Sequence, residues 1–171
     1  MSGRSRLRLL LKIVVVLGGG SSILLSYRRF PLEKILPGGV GRVLTSTPIV
    51  PGSRFSWGEA THGFTRVPPS TEVVNNIRAL ARALEPYRRR VGAPMNVTSW
   101  YRPEPFNSAA GGVRNSSHLN GRAVDFWVEG WSGSQLYDLA LSMGWDGGVG
   151  RYLSFPALCH LDIGAKRSWV N

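Results

Sequence analysis

The chain has 171 residues, a formal charge of +11, 43% hydrophobic residues and 18% charged residues. This is one domain's worth of chain with enough apolar material for a core, which excludes a wholly disordered protein. The single cysteine excludes both an intrachain disulfide framework and an all-cysteine zinc site, so any metal must be held by His, Asp or Glu.

The charge is uneven along the chain. Residues 1–34 carry +6 and the remaining residues +5. A basic excess favours an acidic partner such as nucleic acid, anionic lipid or a carboxylate-bearing polymer, and charge alone does not choose among them. Arg4, Arg6, Arg8 and Lys12 lead into an apolar run that is uncharged from Ile13 to Tyr27 and closed by Arg28 and Arg29. Residues 1–29 therefore read as a signal peptide or an N-terminal membrane anchor. Counted from Leu9, the run is long enough to cross a bilayer if Lys12 snorkels. Gly18-Gly19-Gly20-Ser21-Ser22 equally suits a signal-peptidase site. Either way the rest of the chain is expected to be exported, with membrane contact only if the segment is retained. Residues 30–54 read as a linker, because Pro31, Pro37, Pro48 and Pro51 interrupt any helix, and the compact part is expected to begin near Phe55.

Ser70 is a candidate N-cap for a helix whose apolar face is Val73 or Val74, Ile77, Leu80, Ala81 and Leu84. Pro86 is expected to kink or end it, with Gly92 and Pro94 as the final stop; Arg88 to Arg90 read as its solvated end. Met95 to Trp100 is strand-like, Gly111-Gly112 marks a loop, and Ala123 to Val128 is a second strand. Ser134 to Met143 is a second helix, Gly147 to Tyr152 a glycine-rich strand or loop, and Leu158 to Ile163 a final strand. This order predicts a small α+β domain with an antiparallel sheet and flanking helices.

Only three histidines are present, His62, His118 and His160. His118 stands in a loop seven residues before Asp125, with Gly121 free to take a positive φ between them and small Ala123 leaving room on the strand face of Asp125. Alternation in Leu158-Cys159-His160-Leu161-Asp162-Ile163 puts His160 and Asp162 on one face and Leu161 and Ile163 on the other, toward the core, with Cys159 also opposite His160. Two His and one Asp, with a fourth position open, form a catalytic-zinc ligand set. The other candidates read as structural: His62 in a surface loop, Glu59 capping a turn, Asp146 in a turn, Cys159 as a buried hydrophobe. Trp57, Trp100, Trp127 and Trp131 are core by default, although one or two tryptophans could line a groove.

His-x-x-Gly-x-Ala-x-Asp at His118 to Asp125, followed by a terminal His-x-Asp strand, resembles the zinc D-Ala-D-Ala carboxypeptidase and murein endopeptidase family, whose fold is shared with the Hedgehog signalling domain. Ser99-Trp100-Tyr101-Arg102 is similar to the family's Ser-x-Tyr-Arg segment. Gly147 to Tyr152, His160-Leu161-Asp162-Ile163-Gly164 and Arg167-Ser168-Trp169 look like the murein endopeptidase branch.

The resemblance covers residues 55–169 and implies a zinc peptidase domain over 55–171 acting on stem or cross-link peptides of peptidoglycan. It implies Zn²⁺ on His118, Asp125 and His160, substrate contacts from Ser99, Tyr101 and Arg102, and either charge stabilisation at the oxyanion or bidentate pairing with a substrate carboxylate by Arg102. One position departs from the family: Ala157 stands where many members have a catalytic acid. Asp162 is then either the catalytic base or a partner that orients His160. A zinc-bearing but inactive wall-binding module is the alternative that this departure supports. A monomer is expected, and no nucleic-acid partner, because the export segment and the lack of a basic–aromatic stripe count against one.

Overall fold

The computed structural model describes residues 33–171; the apolar run of residues 1–29 lies outside the described residues. Two strands, β1 (Glu33–Leu36) and β2 (Gly41–Leu44), form an antiparallel hairpin. They are followed by a short helix α1 (Trp57–Ala60), the long helix α2 (Thr71–Val91), β3 (Asn96–Ser99), a short α3 (Phe106–Ala109) and a 3-10 turn at Ser117–Asn120. Then come β4 (Ala123–Trp127), α4 (Gly133–Ser142), β5 (Gly148–Arg151), β6 (Cys159–Asp162) and β7 (Arg167–Val170). The class is α+β, as the sequence predicts. The main sheet has the order β3-β4-β6-β5-β7 and is antiparallel except for β5 and β7, which run parallel. The expected antiparallel sheet is thus present, with one parallel pair at its edge.

The lead-in is also more than a linker. Leu36, Val43, Ile49 and Val50 are buried in the main core, and Ile49 N–H donates to the Phe55 carbonyl at 2.9 Å. The described residues before Phe55 thus belong to the same compact unit as those after it. Prolines forbid helix in this stretch but not hairpin edges and turns, so its apolar residues still reach the core.

Helix α2 forms where its caps and stripe place it. Ser70 Oγ accepts from Val73 N–H, and Gly92 ends the helix at φ 75°. Arg88 to Arg90 lie in the last turn, where cations favour the helix dipole. Pro86 does not stop the helix. An interior proline costs ~3 kcal/mol, but Leu84, Tyr87 and Val91 are buried on both sides of it, and packing outweighs that cost. Tyr87 packs edge-on against Phe126 and Trp145 and donates its hydroxyl to the Leu136 carbonyl at 2.7 Å, so α2 is tied to both β4 and α4.

Strand alternation then divides the sheet. Val124 and Phe126 of β4, with Cys159 and Leu161 of β6, enter the core. Ala123, Asp125, His160 and Asp162 occupy the opposite face, as their spacing predicts. Among the described residues, no helix is long and apolar enough to cross a membrane.

Candidate metal centre

One transverse row of the main sheet carries most of the centre. Ser99 pairs with Asp125, Asp125 with His160, His160 with Gly150 and Gly150 with Trp169. At Gly150 a side chain would run into the Trp169 indole, so glycine lets Trp169 lie across β5 and reach the His160 ring, 5.0 Å between centroids. His118 arrives from outside the sheet on the 3-10 turn. That turn closes at Gly121 with φ 72°, and a Cβ there would sit 2.7 Å from Ile77 Cγ1. Glycine is thus required both by the left-handed backbone and by the packing of α2. Trp100 Nε1 donates to the Gly121 carbonyl at 3.1 Å, and Arg102 N–H donates to the His118 carbonyl at 3.0 Å, fixing the turn against β3.

The three predicted ligands converge. His118, Asp125 and His160 each offer one ligand atom, all within 4.8 Å of one another, and all three residues are buried. Asp125 Oδ2 lies 3.1 Å from His118 Nε2, and Oδ1 lies 2.8 Å from His160 Nδ1. Burial alone would raise the Asp125 pKa, but His118 and His160 beside it outweigh burial and hold the carboxyl below the usual range. Tyr152 adds a hydroxyl 3.2 Å from Asp125 Oδ1; burial, and then the Asp125 charge, raise this phenol and keep it a donor.

The nitrogens that face away from the centre are already committed. His118 Nδ1 is 2.7 Å from the Trp100 carbonyl, which can only accept, so Nδ1 carries the proton and Nε2 presents its lone pair. That Nε2 is buried and makes no hydrogen bond. His160 Nε2 bonds Asp162 Oδ2 at 3.1 Å, leaving Nδ1 toward the centre. An orphaned imidazole nitrogen, a second imidazole nitrogen and a carboxylate oxygen fit a divalent metal of the zinc type.

Asp162 is completely buried behind His160. Its Oδ1 accepts from Gly148 N–H, Gly164 N–H and Arg167 Nη1, and its Oδ2 from His160 and from Arg167 Nη2 at 2.6 Å. Burial would raise its pKa, but the bonds from His160, Arg167 and Gly164 hold it down. No oxygen is left to take a proton from a substrate water. This corrects the catalytic-base reading of Asp162 and leaves the orienting one.

Arg102 lines the cleft with Nη1 3.7 Å from Asp125 Oδ2. Ser99 lines it too, with a buried hydroxyl that has no partner. Tyr101 does not. It is 4% exposed in the hydrophobic core, because its N–H bonds the Ala60 carbonyl and the chain turns inward toward α1. The substrate-contact expectation for Tyr101 is corrected accordingly. Glu59 caps α1 in a capping box with Ser56, and His62 is exposed; neither lines the cleft. Ala157 is exposed in the turn before β6.

Sequence reasoning gave no role to Trp169, Tyr152, Arg167 or Arg66, all of which line the cleft. For the first three the β5–β7 pairing was the missing signal; for Arg66 the sequence carries none. The cleft encloses about 880 Å³, with exposed Val113 and Phe155 among its lining residues. A model of the peptidase M15 family matches residues 51–162, well over half of the chain and all three ligand positions. No curated protein matches it.

Proposed function

The chain belongs to the peptidase M15 family, a family of metallopeptidases, and on that premise we propose that it hydrolyses a peptide bond in the stem or cross-link peptides of peptidoglycan. The observation that carries the reading is the convergence of His118 Nε2, an Asp125 oxygen and His160 Nδ1 at the floor of the cleft. Zinc is the metal proposed, and when bound it supplies a Lewis acid for the scissile carbonyl and for a water. Asp162 and the Trp100 carbonyl hold the two imidazoles in orientation and tautomer. Arg102 is placed to stabilise negative charge growing on the carbonyl oxygen. Export through residues 1–29 and a basic domain are consistent with a carboxylate-rich wall polymer as substrate.

A second reading, a zinc-bearing wall-binding module without hydrolytic activity, is favoured by one observation. Among the described cleft-lining residues, Asp125 has the only carboxylate side chain, and it belongs to the ligand set. Elemental analysis beside mass spectrometry of digested murein separates the two readings. The peptidase reading expects one zinc per chain and release of peptide fragments that stops with a chelator and returns with zinc. Zinc binding without any fragment release would establish the module instead. Loss of zinc on His118→Ala or His160→Ala is expected under both, and retention of zinc would overturn the ligand assignment.

A further inference from the structure

Beside the metal centre and Arg102, the cleft is also lined by Arg66. Arg66 lies in the loop between α1 and α2, where its N–H bonds the Thr61 carbonyl at 3.0 Å and its guanidinium carbon lies over the Phe106 ring, 4.9 Å from its centre. Such a cation–π contact supplies no lone-pair acceptor, so the guanidinium N–H groups still need one. No such partner is supplied by the chain. Arg66 Nε and Nη1 are buried without a hydrogen bond, and so are Arg102 Nε and Ser99 Oγ in the same cleft. Among the described residues Arg66 forms no ion pair. Burial first, and then the charge of Arg102, lower the Arg66 pKa, so the two cations feel one another. Asp125, the carboxylate paired with Arg102, is already shared among His118, His160 and Tyr152, and Glu104, which also feels the Arg102 charge, is bonded to Asn107 and Ser108.

Buried donors without acceptors are costly, and like charges held together repel. An anion with several in-plane lone pairs relieves both costs, and the flat fork of a guanidinium matches a carboxylate. We infer that Arg66 and Arg102, with the Ser99 hydroxyl, form a carboxylate subsite beside the metal centre, and that Arg66 selects substrates bearing a carboxylate near the scissile bond. The inference deepens the peptidase reading and rests on it for the identity of the ligand as a peptide. The carboxylate is either the terminal one of a peptide or the side chain of an acidic residue.

Calorimetry on the zinc-loaded full chain distinguishes these sources, using peptides with a ketomethylene in place of the scissile amide so that none is turned over. One pair differs in having a free terminal carboxylate or a carboxamide. The other pair is amide-capped and differs in Glu or Gln beside the scissile position. The wild-type chain is expected to bind the acidic member of one pair at least tenfold more tightly, and that pair identifies the source. Arg66→Met is expected to reduce the preference to within about threefold, and Arg66→Lys to fall between. No preference in the wild type for either pair overturns the proposal, as does an undiminished preference in a folded Arg66→Met. If Arg66→Met does not fold, Arg66→Lys decides by the same comparison. A chain that prefers the acid yet hydrolyses no murein leaves the subsite standing and overturns only the peptidase reading.

Discussion

Each histidine of the centre is held through the nitrogen that does not face it. His118 is fixed by a backbone carbonyl, which has no charge to lose. His160 is fixed by Asp162, which Arg167 and two backbone N–H groups lock in place. Such partners set the tautomer and raise the basicity of the ligand, and losing one weakens metal binding by roughly 10–100-fold. Asp162→Asn is therefore expected to weaken zinc affinity by about that factor, while activity at saturating zinc stays close to that of the parent chain. Competition with a chelating indicator reads the first quantity, and murein cleavage in excess zinc the second. A fall in turnover of ~10²–10⁴-fold at full zinc occupancy would instead give Asp162 the role of base. At this scale alternation put His160 and Asp162 on one strand face, while the full set of His118, Asp125 and His160 was legible through its resemblance to a family motif, since an interval that spans a turn imposes no face. Tyr101 was not, because β3 ends at Ser99 and alternation has no authority beyond the strand.

Among the elements, the pairing of β5 with β7 supports the site from behind. Gly148 pairs with Arg167, and a side chain at Gly148 would run into the Asp162 carboxylate and come within 2.9 Å of Arg167 Nη1. The glycine is the opening through which Arg167 reaches Asp162. Gly148→Ala is expected to push the two apart. Overpacking of this kind destabilises by about 1–3 kcal/mol, and zinc affinity should fall alongside, as it does for Asp162→Asn. Urea unfolding of the metal-free chain and the chelator competition measure the two effects; an alanine that costs neither would show that the pair is not held through this opening. The sequence could not show this arrangement. β7 is four residues with no alternating apolar pattern, and its partner is fixed only by a parallel crossover. The long helix α2 was legible from its caps and stripe, but its passage through Pro86 was not, since packing on both sides of the proline is a tertiary fact.

For the molecule as a whole, the peptidase core includes the hairpin that precedes it. Pro48 and Ser56 bridge, Trp57 N–H donates to the Thr47 carbonyl, and Gly58 N–H donates to the Thr45 carbonyl at 2.8 Å, so residues 45–58 close on themselves beneath Phe55 and Trp57. A side chain at Gly58 would sit 2.7 Å from that same carbonyl, a sign of how closely the two segments approach. Phe55 in turn packs edge-on against Trp100, 5.6 Å between centroids, and Trp100 holds both His118 and the turn at Gly121. The hairpin is thus coupled to the ligand turn through two aromatic rings. Full burial of each Val, Leu or Ile side chain contributes ~1.5–3 kcal/mol, and Leu36, Val43, Ile49 and Val50 would all be lost from a chain beginning at Phe55. Such a loss is comparable to the ~5–15 kcal/mol that a whole domain commands. A chain beginning at Pro31 is expected to melt cooperatively and to bind zinc as the full chain does. One beginning at Phe55 is expected to lose the cooperative melt, or to keep it at a markedly lower temperature with weakened zinc binding. Calorimetric melts with and without zinc on the two truncated chains make the comparison. Equal melting temperatures would show that residues 31–54 contribute nothing to the core, and would return the boundary of the domain to Phe55.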